Sequence, residues 1–144
     1  MNGFENILKS PKMKQTIAQF ALVVRDYDEA IDFYVGKLGF TLEEDTVMSE
    51  TKRWVRIAPP GSEPGNCQVL LAKAVGEEQE MAIGNQTGGR VFLFLHTDDF
   101  EGTYQNLLYH DVKIIREKSE ESFGTVAVFA DLYGNLWDLI QPNT

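Results

Sequence analysis

A carboxylate on an apolar strand is the residue best suited to chemistry in this sequence. Asp138 alternates with Leu136 and Ile140 in the segment LWDLIQ, so strand alternation places these three side chains on one face. A carboxylate in apolar surroundings can act as a general base or as a ligand for a cation. The alternative is a structural ion pair, because a buried charge has to be paired. The candidate partners are Arg53, Arg56 and Arg90.

Two further polar side chains lie on predicted strands. Gln19 begins the apolar strand QFALVV, on the face opposite Phe20 and Leu22. Its amide can bind a ligand or close a strand edge. His96 lies near the end of RVFLFLHT, and histidine titrates near neutral pH, which makes His96 a second catalytic candidate. A purely structural role is the alternative for this histidine.

Aromatic side chains on two strands predict the wall of a binding cavity. Phe92, Phe94 and His96 share a face by alternation, and the two phenyl rings suit a flat or apolar ligand. Ordinary core packing is the alternative. Trp54 and Arg56 share a face of KRWVRIA, where they would hold an aromatic or anionic ligand by stacking and paired hydrogen bonds. Alternation leaves open whether that face points inward or is a solvated basic face.

The elements that position these residues occur twice in the same order. Aligning Asp26 with Asp99 superimposes Gln19 on Phe92, and aligning the last strand of each half superimposes Leu70 on Asp138. The repeat predicts an arm at 1–15, a βαβββ module at 16–73, a connector at 74–89 with one short helical turn, and a second βαβββ module at 90–144. A helix covering one face of each sheet leaves the other face free to line a cavity.

The first helix has the clearest boundaries. Asp26 with Glu29 three residues later is typical of a helix cap, and Gly39 is placed to end the helix in a left-handed conformation. The predicted strands cover 16–24, 40–47, 52–58, 66–73, 90–97, 112–117, 123–130 and 136–141, with KSEES as a charged turn. The predicted helices cover 26–38 and, after the caps Asp98 and Asp99, the residues up to His110.

Composition excludes several classes of protein. The 144 residues carry a net charge of −9, the opposite of what nucleic-acid binding requires, and no apolar run approaches the roughly 20 residues of a membrane span. We therefore expect neither nucleic acid nor membrane as a partner. The acidic charge serves solubility or, alternatively, provides a groove for a cationic ligand. The N-terminus lacks the apolar core of a signal peptide and Cys67 is the single cysteine, so we expect a cytoplasmic protein.

Two segments resemble the vicinal oxygen chelate superfamily, which includes glyoxalase I, bleomycin-resistance proteins, fosfomycin-resistance enzymes and extradiol dioxygenases. The segments are VVRDYDEAIDFYVGKLGF in the first module and DLYGNLWDLIQ in the second, and the resemblance extends over 16–141. It implies an α+β fold of two tandem βαβββ modules that form curved mixed sheets around a cavity. Dimers are frequent in the superfamily and open strand edges favour pairing, so we expect a homodimer.

The same resemblance implies four metal-ligand positions, which here are Gln19, Leu70, Phe92 and Asp138. Leu70 and Phe92 have no donor atom, whereas most catalytic metal sites use at least three protein ligands. We therefore expect a small organic ligand and no metal or other cofactor, as in the bleomycin-resistance proteins.

The alternative is a metal-dependent lyase, isomerase or dioxygenase, similar to lactoylglutathione lyase, that uses Ni, Zn, Mn or Fe. Asp138 would then be the base or a ligand and Gln19 a ligand, and His96 or a side chain of the partner chain would complete the site. A purely structural dimer module is a third possibility.

Overall fold

Two four-stranded mixed sheets, each with one helix on one face, make up the structure. The computed structural model describes residues 12–144, so residues 1–11 of the predicted arm lie outside the described residues. The strands are β1 Gln19–Val24, β2 Thr41–Val47, β3 Arg53–Ala58, β4 Gln68–Lys73, β5 Val91–His96, β6 Ile114–Glu121, β7 Gly124–Ala130 and β8 Leu136–Pro142. The helices are α1 Tyr27–Ile31, continued by a π-helical segment Asp32–Lys37, α2 Glu77–Ala82 in the connector, and α3 Phe100–Tyr109.

The two sheets have the same topology. Their strand orders are β1-β4-β3-β2 and β5-β8-β7-β6. The first strand of each module pairs in parallel with the last, and the remaining pairs are antiparallel. This arrangement confirms the predicted α+β fold of two βαβββ modules. No helix among the described residues is long and apolar enough to cross a membrane.

The start of α1 follows the predicted cap in part. The Asp26 carboxylate accepts a hydrogen bond from the Glu29 backbone N–H at 2.9 Å. The Glu29 side chain does not return to the Asp26 backbone; it binds Arg25 at 2.8 Å and the Tyr133 hydroxyl at 2.6 Å. Gly39 ends the helical segment with a φ of 77°, as predicted, because that left-handed conformation is strained for residues with a Cβ.

The sixth strand is longer than its sequence indicates. KSEES was predicted as a turn, but β6 continues to Glu121 and pairs with β7 as far as Gly124. The prediction is wrong because most side chains of this edge strand are exposed, and an edge strand accommodates charge where a central strand does not. The turn is therefore confined to Ser122 and Phe123.

Alternation assigns one face of each sheet to the core. In the first sheet Leu22, Val55 and Leu71 are buried beneath α1, and in the second Phe129 and Leu139 are buried beneath α3. The intervening side chains point to the opposite face, which no helix within residues 12–144 covers. We call these surfaces the first open face (Gln19, Ala21, Trp54, Arg56, Gln68 and Leu70) and the second open face (Phe94, His96, Val128, Asp138 and Ile140).

A buried carboxylate joins the two modules. The Tyr34 hydroxyl, from the first module, donates to Asp131 in the β7–β8 turn at 2.7 Å. Asp131 is only 5% exposed, and it also accepts hydrogen bonds from the backbone N–H groups of Tyr133 and Asn135 and from the Asn135 amide, each at 2.9 Å. Burial, and then the adjacent Asp131 charge, raise the pKa of Tyr34 well above its ordinary value, so its hydroxyl stays protonated and remains a donor.

Aromatic packing surrounds this polar junction. The Trp137 ring stacks on Phe129 at 5.8 Å between centroids and meets Tyr34 and Phe40, both from the first module, at 5.8 and 5.9 Å. Offset and edge-on contacts of this kind stabilise beyond the area they bury, by roughly 0.5–1.5 kcal/mol each. Trp137 therefore belongs to one hydrophobic core that both modules share.

The connector closes the outer edge of β1. The Gln86 amide accepts from the Val23 N–H at 3.2 Å and donates to the Ala21 carbonyl at 3.0 Å, as a neighbouring strand would. The Gln86 N–H donates in turn to the Asn135 side chain at 3.1 Å. The Gln86 side chain therefore pairs with two backbone groups at the outer edge of β1, and the Gln86 backbone links this edge to the Asp131 junction.

Replacing Tyr34 with Phe tests the junction. Tyr34→Phe removes a hydrogen bond from a buried carboxylate, so we expect the free energy of unfolding to fall by about 1–3 kcal/mol. Chemical denaturation measures the change. The matched control is Tyr109→Phe, because Tyr109 is 82% exposed and its hydroxyl bonds no described residue. A loss for Tyr34→Phe no larger than for this control would contradict the assigned role.

Candidate functional site

The second open face presents a carboxylate beside an exposed aromatic ring. Asp138 on β8 lies directly opposite Phe94 on β5 and directly opposite Val128 on β7. Phe94 is 64% exposed, so much of its ring lies at the surface of the sheet. Ile140 follows two residues after Asp138 on the same face, opposite the exposed His96. The half-buried Asp138 carboxylate is therefore bordered mainly by hydrocarbon.

Asp138 has no structural ion-pair partner among residues 12–144. Its side chain makes neither a hydrogen bond nor a salt bridge there, so the predicted pairing with Arg53, Arg56 or Arg90 is wrong for the described chain. Two of those arginines bind carboxylates of the first module instead. The pairs are Arg53 with Asp28 (2.8 Å) and Asp45 (2.6 Å), and Arg56 with Glu44 (2.9 Å).

Desolvation dominates the electrostatics of Asp138. Burial raises the pKa of the Asp138 carboxyl above its ordinary value, and the positive charge of Arg116 acts in the opposite direction. Arg116 pairs across β6–β7 with Val128, the neighbour of Asp138, and lies 3.6 Å from the Glu121 carboxylate. The sequence pattern did not place Arg116 near Asp138, because the predicted turn at KSEES left the pairing of β6 with β7 undefined. The register of this hairpin, in which Arg116 pairs with Val128, would have shown that Arg116 lies near Asp138.

A β-bulge removes Phe92 from the open face. The β5–β8 register shifts between Val91 and Leu93, so alternation is broken at Phe92. The Phe92 ring packs in the core, edge-on to Phe20 at 5.9 Å and to Trp137 at 6.3 Å. The prediction that Phe92 shares a face with Phe94 and His96 is therefore wrong, and only the latter two lie on the second open face.

The first open face includes both residues whose orientation alternation left undecided. Val55 and Ile57 are buried in the core, so Trp54 and Arg56 point to the open face, where Arg56 lies opposite Leu70. The Arg56 guanidinium donates twice to Glu44, at 3.0 and 2.9 Å, and once to the Gln68 side chain. The positive charge of Arg56 is thus already compensated by the Glu44 carboxylate.

Gln19 is next to Gln68 in the parallel β1–β4 pair, and both side chains are half-buried. The two amides and the guanidinium form a polar row across the first sheet, and Trp54 and Leu70 form the apolar part of the same face.

Two pockets lie at the surface: the larger borders the first open face, and the smaller is lined by no residue of either open face. The larger, about 730 Å³, lies beside Trp54, Leu70 and Ala72 and is bounded by the β2–β3 turn and by Val75 and Gln79 of the connector. The smaller, about 460 Å³, lies at the start of α3 between Phe100, Lys118 and Gln141. Each is lined by one module, the larger with help from the connector.

The family metal positions do not assemble a metal site in the described chain. Gln19 and Leu70 lie on the first open face, Asp138 lies on the second, and Phe92 lies in the core. Among residues 12–144 no three His, Cys, Asp or Glu side chains lie close enough to share an ion. The single carboxylate and single amide at these positions fall short of the donor set of a catalytic divalent metal.

The fold and the site together define the class of protein. The chain belongs to the Glyoxalase/Bleomycin resistance protein/Dioxygenase superfamily, whose family model matches residues 16–139. It is 58% identical over 132 residues to an uncharacterised protein of Shewanella frigidimarina (strain NCIMB 400), covering 91% of this chain and 96% of that protein.

Two solved structures are similar over nearly their whole length. UcmS2 is 28% identical with a TM-score of 0.75, and the match covers 89% of this chain and 98% of UcmS2. TnmS3, an antibiotic binding protein from Streptomyces sp. CB03234, is 27% identical with a TM-score of 0.70, and the match covers 90% and 98% of the two chains.

The desolvation of Asp138 predicts a pH-dependent stability. A carboxyl whose pKa is raised by folding favours the folded state when protonated, and this contribution is lost as the pH rises through the folded-state pKa. Asp138→Asn should therefore raise the melting temperature at about pH 7. The difference from the unmodified chain should vanish below about pH 3.9, where the carboxyl is neutral in both states.

Glu63→Gln is the matched control for this experiment. It removes the same charge from an exposed loop residue whose side chain bonds no described residue. Melting curves across this pH range should show no comparable pH-dependent gain for Glu63→Gln. A lower melting temperature of Asp138→Asn at about pH 7 would indicate a stabilising partner for the carboxylate and contradict the desolvation account.

Proposed function

We propose that this protein binds a small organic molecule at its open faces and does so without metal chemistry. The observation that carries the proposal is the second open face, where an exposed phenyl ring and a carboxylate with no partner among residues 12–144 adjoin in the register of β5 and β8. The phenyl ring adjoins the apolar side chains of this face, and contiguous apolar surface beside a polar group is typical of a ligand site.

The first open face supports the same function. Trp54 and Leu70 line a pocket of about 730 Å³, which is within the range of roughly 300–1,000 Å³ common for small-molecule sites. Gln19, Gln68 and Arg56 provide a few polar groups beside this apolar wall. A mainly apolar wall with a small number of oriented polar groups fixes the orientation of a bound molecule.

Similarity to TnmS3 points in the same direction. TnmS3 is described as an antibiotic binding protein, and its chain aligns with nearly all of this one. The proposal for this chain is correspondingly a binding protein for a small organic molecule, with Phe94, Trp54 and Leu70 as contacts.

A homodimer is part of the proposal. Among residues 12–144 no hydrogen bond or aromatic contact joins the two open faces, so both are available to a second copy. The strands β2 and β6 each end a sheet, and no other strand of the described residues pairs with their outer edges. Sedimentation velocity of the full chain should give the mass of a dimer at micromolar concentration; a monomer would contradict this part.

One observation favours a second candidate function. A raised pKa in an apolar site is characteristic of a general base, and Asp138 would have that role in a metal-dependent lyase, isomerase or dioxygenase of the superfamily. The other donors of such a site would have to come from a partner chain.

Metal content and thermal shift decide between the two functions. The full chain, purified without affinity-tag metal, would be melted with and without Ni²⁺, Zn²⁺, Mn²⁺ and Fe²⁺. A ligand that binds only the native state raises the melting temperature. We expect these ions to shift the melting temperature of the unmodified chain no more than that of Asp138→Asn. The reason is that Gln19 and Asp138 are only two donors, and two donors bind a divalent ion weakly. Near-stoichiometric metal that is lost in Asp138→Asn would instead favour the metal-dependent function.

Binding itself can be tested with a neutral fluorescent probe. We expect 1-naphthalenemethanol to bind saturably and Phe94→Ala to weaken its binding at least about fivefold, since truncating an aromatic side chain at the centre of a binding site costs about 1 kcal/mol or more. Phe123→Ala is the matched control, because Phe123 is 55% exposed in the β6–β7 turn, outside both open faces. Equal effects of the two substitutions would contradict a ligand role for Phe94.

A further inference from the structure

The charges on the open faces are unequally compensated. Arg56 on the first open face is bound by Glu44 and Gln68, and Arg116 beside the second is within 3.6 Å of Glu121. Asp138 has no such partner in the part of the chain that the structure describes. The charge left for a ligand to neutralise on these faces is therefore negative.

The surroundings of Asp138 determine what kind of cation fits. Phe94 lies directly opposite Asp138 on one side and Val128 on the other, and Ile140 continues the apolar surface along β8. A divalent metal would need two or more further donors, which these neighbours lack. A protonated amine needs only an ionised acceptor, and it gains from an aromatic face close by.

We infer that the ligand is an organic cation: a flat, apolar molecule with a protonated amine that binds the Asp138 carboxylate and packs against Phe94. This inference rests on the proposed function and specifies its ligand class. The carboxylate at a family metal position is then the counter-ion of an ammonium group. The apolar body of the ligand covers Val128 and Ile140, and its burial strengthens the ion pair by excluding water.

Three probes of one shape test the ligand class. They are 1-naphthylmethylamine, 1-naphthalenemethanol and 1-naphthoate, which at about pH 7 are cationic, neutral and anionic respectively. Fluorescence titration of the full chain gives the three dissociation constants. We expect the amine to bind at least about tenfold tighter than the alcohol, equivalent to about 1.4 kcal/mol, and the naphthoate to bind weakest.

Asp138→Asn should abolish the preference for the amine. The substitution keeps the shape of the side chain and removes its charge, so the ratio of the dissociation constants of alcohol and amine should fall from at least about ten to about one. Glu63→Gln removes one charge from the same net charge of −9 at a distant loop and should leave the preference intact. Where Asp138→Asn does not fold, equal or weaker binding of the amine than of the alcohol by the unmodified chain still overturns the inference.

The outcomes separate this inference from the proposed function. Equal binding of amine and alcohol, or tighter binding of naphthoate, would overturn the organic cation and leave small-molecule binding standing. An amine preference that persists unchanged in folded Asp138→Asn would place the cation site elsewhere and overturn it too. Failure of all three probes to bind would overturn both.

Discussion

The buried Asp131 carboxylate is the constraint on which the relation of the two modules depends. An ionised group away from water requires several hydrogen bonds, and Asp131 obtains them from its own turn and from Tyr34 of the other module. The Asp131 oxygen that accepts from Tyr34 also accepts from the Asn135 amide, so loss of the inter-module bond would leave this buried oxygen with one partner instead of two. The Trp137 ring and the Gln86 amide reinforce this geometry by apolar packing and by strand-like hydrogen bonds.

These contacts between the modules direct the helix-covered faces of both sheets towards one common core. The faces left over are the open ones. Within residues 12–144 the second has an exposed phenyl ring and a carboxylate without a salt bridge, and the first has an indole and a guanidinium paired with Glu44. The proposed ligand would supply apolar and charged contacts to these side chains.

Membership of the superfamily does not determine the chemistry of this chain. The fold hosts metal enzymes and binding proteins alike, and function depends on the residues at the site. In this chain, the positions that carry metal ligands in the enzymes of the superfamily are occupied by one amide (Gln19), two hydrocarbon side chains (Leu70 and Phe92) and one carboxylate (Asp138). The same strand positions that orient metal donors can orient a counter-ion and an aromatic wall, because strand geometry sets direction regardless of side-chain chemistry.

Local periodicity and backbone conformation in the sequence were enough for the element order, the module repeat, and the cap and glycine that bound the first helix. Alternation also placed Asp138 with Ile140 correctly. The remaining features required the tertiary structure: the bulge that sends Phe92 into the core, the face of Trp54, and the absence of a salt bridge to Asp138 among the described residues. Register shifts and ion pairs depend on which strands are adjacent, and strand adjacency is determined by contacts between residues that are distant in sequence.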